Sequence, residues 1–330
     1  MSTRSVTART PVRAADAGGW TDTWFAGHGT VCAVAVGPAV ETTVRVIDGP
    51  PGHVTLDVAA FGDRYAFSLD APPGRHPLLE ATIARYAPPA VALEIETTCQ
   101  VPPGSGLGTS ASVVVGLIAA LSSADQLDTA TIARRAHEIE TVDLGWQSGV
   151  QDQVMAAAGG AQRIEIDYPI ARATRLDVPP AAWDALADRL VTVYLGRPHR
   201  SSAVHEHVIG SLRAHDKALE PLRRAANAAA DALADGDLAA YATALTDATD
   251  GQRALHSDLV SADADAVWHI AREHGALGWK VNGAGGDGGT ITIVAGDDPT
   301  ALRATLRRRW RVLDLRPTTV GLVVTTATAR

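Results

Sequence analysis

The stretch Pro103-Gly104-Ser105-Gly106-Leu107-Gly108-Thr109-Ser110-Ala111-Ser112 runs directly into the apolar segment Val113–Leu121. It restricts this chain more than any other feature. Closely spaced glycines let a backbone adopt positive φ and approach a ligand. A helix that starts straight after them turns its unpaired N–H groups and the positive end of its dipole toward the loop. A loop and helix of this kind form a cradle for an anion, most often a phosphate. Thr109, Ser110 and Ser112 place hydroxyls where a phosphate or a metal ion can use them.

Two familiar glycine motifs are excluded. A P-loop needs Lys after its last glycine, but Gly108 is followed by Thr109, and the only lysines in the chain are Lys217 and Lys280. A dinucleotide fingerprint follows its strand directly and ends on a third glycine. Here Pro102-Pro103 interrupts the approach, and Thr109 stands where that glycine would be.

The 330 residues suffice for two medium domains. A formal net charge of -8 with no basic cluster speaks against nucleic-acid binding. No apolar run approaches the ~20 residues of a membrane span. The N-terminal residues lack the apolar core of a secretion signal, and Cys32 and Cys99 suit a reducing compartment. A cytoplasmic protein is expected.

Along the first hundred residues, alternating valines at 40–46 and 54–58, and Val91, Leu93 and Ile95, predict strands. Helices are expected at Ser110–Ser122, at Thr129–Val142 with Asp128 as N-cap, and at Val150–Ala158. Strands are expected around Ile164 and Leu176. Pro179-Pro180 then reads as a joint. A strand over Leu190–Leu195 opens the second part, and residues 200–275 are mostly helical in pattern. The closing order is strand, strand, helix, strand, strand: Trp279–Val281, Thr290–Val294, Ala301–Trp310, Val312–Leu315 and Val320–Thr325. The class is α+β in two parts, with domains expected over 1–187 and 188–330.

Candidate chemistry gathers at three further places. In Thr10-Pro11-Val12-Arg13-Ala14-Ala15-Asp16-Ala17-Gly18-Gly19-Trp20-Thr21-Asp22-Thr23, a strand bearing Arg13 enters a Gly-Gly turn and a Thr-Asp pair. Glu140 lies near the apolar face made by Ile132, Ala136 and Ile139 at ~100° per residue, whereas Glu138 lies nearly opposite. Asp152 lies in Gln147-Ser148-Gly149-Val150-Gln151-Asp152-Gln153, and Lys280-Val281-Asn282-Gly283-Ala284-Gly285-Gly286-Asp287-Gly288-Gly289-Thr290 forms a second glycine loop. In Gly196-Arg197-Pro198-His199-Arg200-Ser201-Ser202 a guanidinium could hold a substrate phosphate or carboxylate, although a helix start explains the stretch equally well. His205-Glu206-His207 does not match H-E-x-x-H and is set aside.

Over Pro103–Ala111 a proline precedes G-L-G-[ST]-S-A, which closely resembles the phosphate loop of the GHMP kinases, the superfamily of galactokinase, homoserine kinase and mevalonate kinase. Gly-Gly-Trp-Thr-Asp and Gln151-Asp152-Gln153 resemble its sugar-kinase branch of heptose 7-phosphate kinase, fucokinase and galactokinase. The 280–290 loop resembles its C-terminal motif. Asp287 is a departure, since relatives usually carry a glycine or small residue there; it either points outward or helps define the substrate.

The resemblance implies the GHMP fold: an N-terminal domain like the second domain of ribosomal protein S5, and a ferredoxin-like C-terminal domain with added helices. It implies ATP along Pro103–Ser112 and Mg²⁺ at Ser110 and Glu140. It implies Asp152 as base, Arg13 beside the moving phosphoryl group, and a substrate held by Gly19, Trp20, Thr21, Asp22, Gly285, Gly286 and Asp287. The expected reaction phosphorylates the anomeric hydroxyl of a sugar or sugar phosphate. Alternatives are a cyclitol or other small alcohol as acceptor, a catalytically silent sugar and ATP sensor, and a GHMP-type decarboxylase. A homodimer is the one self-association that the reading allows for.

Overall fold

A computed structural model describes residues 4–122, 128–197 and 217–328. The Arg200-Ser201-Ser202 and His205-Glu206-His207 stretches lie outside them. Two sheets organise the described residues. The first has nine strands and is centred on β1 (Arg4–Ala17) and the long β2 (His28–Ile47). Beyond β2 lie β5 (Ala92–Thr98), β3 (His53–Val58) and β4 (Asp63–Ser68). β2 changes partner along its length: residues 28–34 pair with β6 (Ala161–Asp167), which carries β7 (Ile170–Arg175), and residues 41–47 pair with β5. The alternating valines predict β2, β3 and β5 because one face of each is buried, as the strict half-buried, buried repeat of β3 shows.

Both faces of this sheet are covered. α2 (Thr109–Leu121) packs Val114, Val115, Leu117 and Ile118 against Leu56, Leu93 and Ile95. α1 (Pro77–Tyr86), α3 (Thr129–Glu138) and α4 (Gln151–Ala158) complete that layer. On the other face, Val12, Ala14, Val34 and Val36 meet the alanine-rich sides of α6 (Glu220–Asp235) and α7 (Leu238–Leu255). Small side chains there let helix and sheet approach closely.

α5 (Pro180–Arg189) leads into the second sheet, whose order is β11 (Arg311–Leu313), β8 (Leu190–Tyr194), β10 (Thr290–Val294), β9 (Gly278–Val281). With α6, α7 and α8 (Ala262–Glu273) after β8 and α9 (Pro299–Leu306) after β10, this is the β-α-β-β-α-β arrangement of a ferredoxin-like unit with added helices.

One expected placement is corrected. The strand read at Val320–Thr325 does not close the second sheet. β12 (Arg316–Pro317) pairs with β2, and β13 (Val323–Thr328) pairs antiparallel with β1, Arg4 to Thr328 through Arg9 to Val323. Strand periodicity says that a segment is extended, but not which sheet it joins. Among the described residues no helix is long and apolar enough to cross a membrane.

Candidate active site

The two sheets meet at a cavity of about 780 Å³. The Pro103–Ser112 glycine loop forms its floor. Gly104, Gly106 and Gly108 adopt φ of 67°, 73° and 75°. Gly108 is the N-cap of α2 and offers no side chain to the first-turn amides, so Thr109, Ser110 and Ala111 present that turn to the cavity. Thr109 Oγ1 and Ser105 Oγ are buried without a hydrogen-bond partner in the protein. Both residues line the cavity, and such orphaned hydroxyls suit a site that receives its acceptor from a ligand.

Arg13 rises into this floor from β1, fully buried. Its Nε donates to Asp152 Oδ1 at 2.8 Å, and its Nη1 donates to the Gly106 carbonyl. Burial alone draws the guanidinium's pKa down. The carboxylates of Asp152 and Asp16 more than reverse this, so the net displacement is upward and the charge is permanent. Asp152 sits in the first turn of α4 with its side chain partly open to the cavity.

Two more carboxylates face the same space. Asp22 is buried and accepts from the Gln151 amide at 3.2 Å. Burial, helped by the nearby Asp152 charge, pushes its pKa up to about 6. Glu140 is buried and accepts from Gln153 Nε2 at 3.0 Å. Burial pushes it up to about 7, against hydrogen bonds from Ser148 and Gln153. No described Lys, Arg or His forms an ion pair with it. The expected α-helix ends at Glu138, and Ile139–Asp143 form a π turn. Glu140 still turns inward as its face predicts, while Glu138 pairs with Arg134 and Arg85 outside. π turns concentrate at functional sites.

Residues 78–160 match the model of the GHMP kinases N terminal domain. Over that segment the chain is similar to the GHMP kinases. It is 31% identical over 218 residues to the D-glycero-alpha-D-manno-heptose 7-phosphate kinase of Campylobacter jejuni, a match that covers 64% of this chain and 62% of that protein. It is 23% identical over 348 residues to the L-fucokinase/L-fucose-1-P guanylyltransferase of Bacteroides fragilis, covering 92% of this chain and 36% of that protein. The chain thus spans less than two thirds of these curated relatives. Among solved structures, a D-glycero-D-manno-heptose 1-phosphate kinase from Bacteroides thetaiotaomicron superposes with a TM-score of 0.75 at 21% identity, over 97% of this chain and 98% of that one.

In this chain the fold brings Arg13, Trp20, Asp22, Glu140, Asp152 and most of the Pro103–Ser112 loop to one cavity. Leu107 and Ser112 sit behind it: Leu107 is a core residue, and Ser112 Oγ donates to the Pro11 carbonyl at 2.7 Å. Gly19 and Thr21 also lie off the lining; Thr21 Oγ1 ties the turn together by donating to the Gly18 carbonyl at 2.7 Å. In the second glycine loop Gly283 and Ala284 reach the cavity, but Gly285, Gly286 and Asp287 do not. Gly286 donates to the Leu259 carbonyl instead. Asp287 points outward, accepting from Arg197 Nη1 at 3.0 Å, which resolves its two readings.

Sequence reasoning passes over Asp16, Gln252, Lys280 and Asn282 as functional groups. All four are buried at the seam between the two sheets. Asn282 accepts from the Ala15 amide at 2.9 Å and donates to Thr290 and Thr292. Polar residues adjoining a glycine turn or loop were the available signal for Asp16, Lys280 and Asn282; Gln252, within a long helix, carried none. Among the described residues no group of three or more His, Cys, Asp or Glu side chains could hold a metal by itself.

Proposed function

We propose that this chain is an ATP-dependent sugar kinase that phosphorylates the anomeric hydroxyl of a sugar or sugar phosphate. The observation that carries the reading is the Arg13–Asp152 pair at 2.8 Å, a buried guanidinium on a carboxylate partly open to the cavity, set between the α2 N-terminus and the Asp22 carboxylate. A phosphate-binding floor, a fixed cation and two carboxylates of different environment are what phosphoryl transfer to a hydroxyl requires. The names of the heptose and fucose kinase relatives favour a sugar as acceptor.

In this reading, Pro103–Ser112 cradle the ATP phosphates. Asp22 and Trp20 hold the sugar, with Thr21 and Gly19 shaping their turn. Asp152 orients the acceptor hydroxyl and takes its proton as the oxygen forms a bond to the γ-phosphorus. The bond from that phosphorus to the β–γ bridging oxygen breaks, and ADP leaves with the electron pair. Arg13 neutralises charge on the moving group and holds Asp152 in line.

The residues fit Mg²⁺. Glu140 is a buried carboxylate without a cationic partner among the described residues, and Ser110 lies exposed on the same cavity. Mg²⁺ takes one or two carboxylates and completes its shell with phosphate oxygens and water. Bound there, it would neutralise charge across the nucleotide phosphates. We also assign nucleotide binding to residues 1–187 and the closing glycine loop to the domain beginning at 188, in a cytoplasmic enzyme.

The test is ATP consumption with Mg²⁺ across free hexoses, heptoses, their 6- and 7-phosphates and cyclitols, with NMR of the product. A new anomeric phosphate is expected. Phosphate on another hydroxyl overturns the anomeric assignment, and ATP binding without turnover on any acceptor favours a sensor.

A further inference from the structure

The Gly283 peptide is held on both sides by buried groups. Its N–H donates to Asp16 at 3.1 Å (Oδ2) and 3.2 Å (Oδ1). Its carbonyl accepts from Gln252 Nε2 at 3.2 Å. Gln252 is held in turn, its Oε1 accepting from Lys280 Nζ at 2.7 Å, while Lys280 also donates to the Val281 carbonyl. Asp16 is 0% exposed, and Gln252 and Lys280 are each 1% exposed. Burying a cation and a carboxylate in this way is costly unless geometry repays it.

That geometry leads to the reacting centre. Gly283 has φ of +65°, and a Cβ there would stand 2.9 Å from the Gly106 carbonyl oxygen and 3.4 Å from Arg13 Nη2. The Gly106 carbonyl is the acceptor for Arg13 Nη1. Asp16 Oδ1 lies 3.8 Å from the same Nη1. In a regular strand, residues 13 and 16 would project to opposite faces. Here the register of β1 against β2 shifts between Ala14 and Ala17, and Ala15 takes φ of 53°. This bulge brings Asp16 round to the side of Arg13.

We propose that Asp16, Gln252 and Lys280 are positioning residues, a buried clamp that seats the Gly283 peptide on the phosphate loop and so aims Arg13 at Asp152. The inference rests on the kinase reading for its catalytic consequence, but not for its structural one. None of the three residues lines the cavity; they act through Gly283 and Arg13.

Gln252→Glu is the first variant. It keeps the shape and the acceptor for Lys280 and removes the donor to Gly283. Asp16→Asn is the second, and circular dichroism with a thermal melt checks that each is folded. Hydrogen–deuterium exchange of peptides covering 104–108 and 282–286 should speed at least about 10-fold in Gln252→Glu, since each amide's protection reports local opening. The kcat should fall about 10- to 100-fold with KM for ATP within about 3-fold, the pattern of a misplaced group at the reacting centre. In an Arg13→Lys background the same change should cost less than about 3-fold further, because both act through one guanidinium.

Unchanged exchange in a folded Gln252→Glu overturns the clamp. Faster exchange with unchanged kcat, or a full additional loss in the Arg13→Lys background, overturns its positioning role. If the wild-type protein turns over no acceptor, the kinase reading fails, while exchange still decides whether the clamp exists.

Discussion

Asp152 and Glu140 are both carboxylates on one cavity, and their surroundings differ. Asp152 is partly open and paired to Arg13. Its Asn variant keeps the shape and loses the proton acceptor, so turnover should fall by at least about 100-fold, in the range of a lost general base. ATP affinity measured by calorimetry should stay within a few-fold; near wild-type turnover would remove Asp152 from the mechanism. Glu140 is buried without a cationic partner among the described residues, and its pKa moves from 4.5 to about 7. A carboxyl raised on folding lowers stability above its folded pKa, and that cost fades as pH falls through about 7 toward 4.5. Glu140→Gln should therefore stabilise the unliganded protein at pH 8 by up to about 3 kcal/mol, with no gain at pH 4. Thermal melts at the two pH values check this, and equal effects at both would show that Glu140 is not buried as a charge. The same variant should lose activity, since its buried charge is the group that would meet Mg²⁺.

At the scale of elements, a glycine loop feeding a helix was legible because its chemistry is local. Gly108 takes φ of +75°, and a Cβ on it would lie 3.0 Å from Asp152 Cγ. Gly108→Ala would strain the N-cap of α2 and push the Asp152 side chain together. ATP binding should weaken at least about 10-fold, and kcat should fall too, whereas a surface Ala substitution on α3 should do neither. Titration with ATP beside steady-state kinetics separates the two, and unchanged binding would exclude the loop as the phosphate cradle. The inward turn of Glu140 was also legible from helical periodicity, because Ile132, Ala136 and Ile139 mark one face. The π turn that carries it was not, since one extra residue per turn leaves no mark in a pattern this short.

For the whole molecule, the chain closes on itself. The final strand β13 pairs with the first, β1, which carries Arg13, so the two ends of the sequence share one sheet. Removing residues 316–330 would uncover six paired positions on β1, Arg4 through Arg9. It would also strip the Thr318 carbonyl that accepts from Gly160. The truncated protein should melt several degrees lower and expose β1 as an aggregation-prone edge. A melt unchanged from the full chain would show that β13 adds nothing to the first sheet. Asp16 teaches the same lesson. Its place beside Arg13 depends on a bulge, and its partner Gly283 lies 267 residues away.

The amino-acid sequence by itself determined the glycine loop that enters a helix, the order of the three motifs, the strands with one buried face and the inward carboxylate. Each is written in neighbouring residues, where φ, periodicity and capping act over a few positions. Only the tertiary structure decided that Asp287 turns outward to Arg197, that Gly283 and Ala284 rather than Gly285 and Gly286 reach the cavity, that the last strand joins the first sheet, and that Asp16, Gln252 and Lys280 close around one peptide. Those choices rest on contacts between distant segments, and their free energy exists only once both sheets are packed.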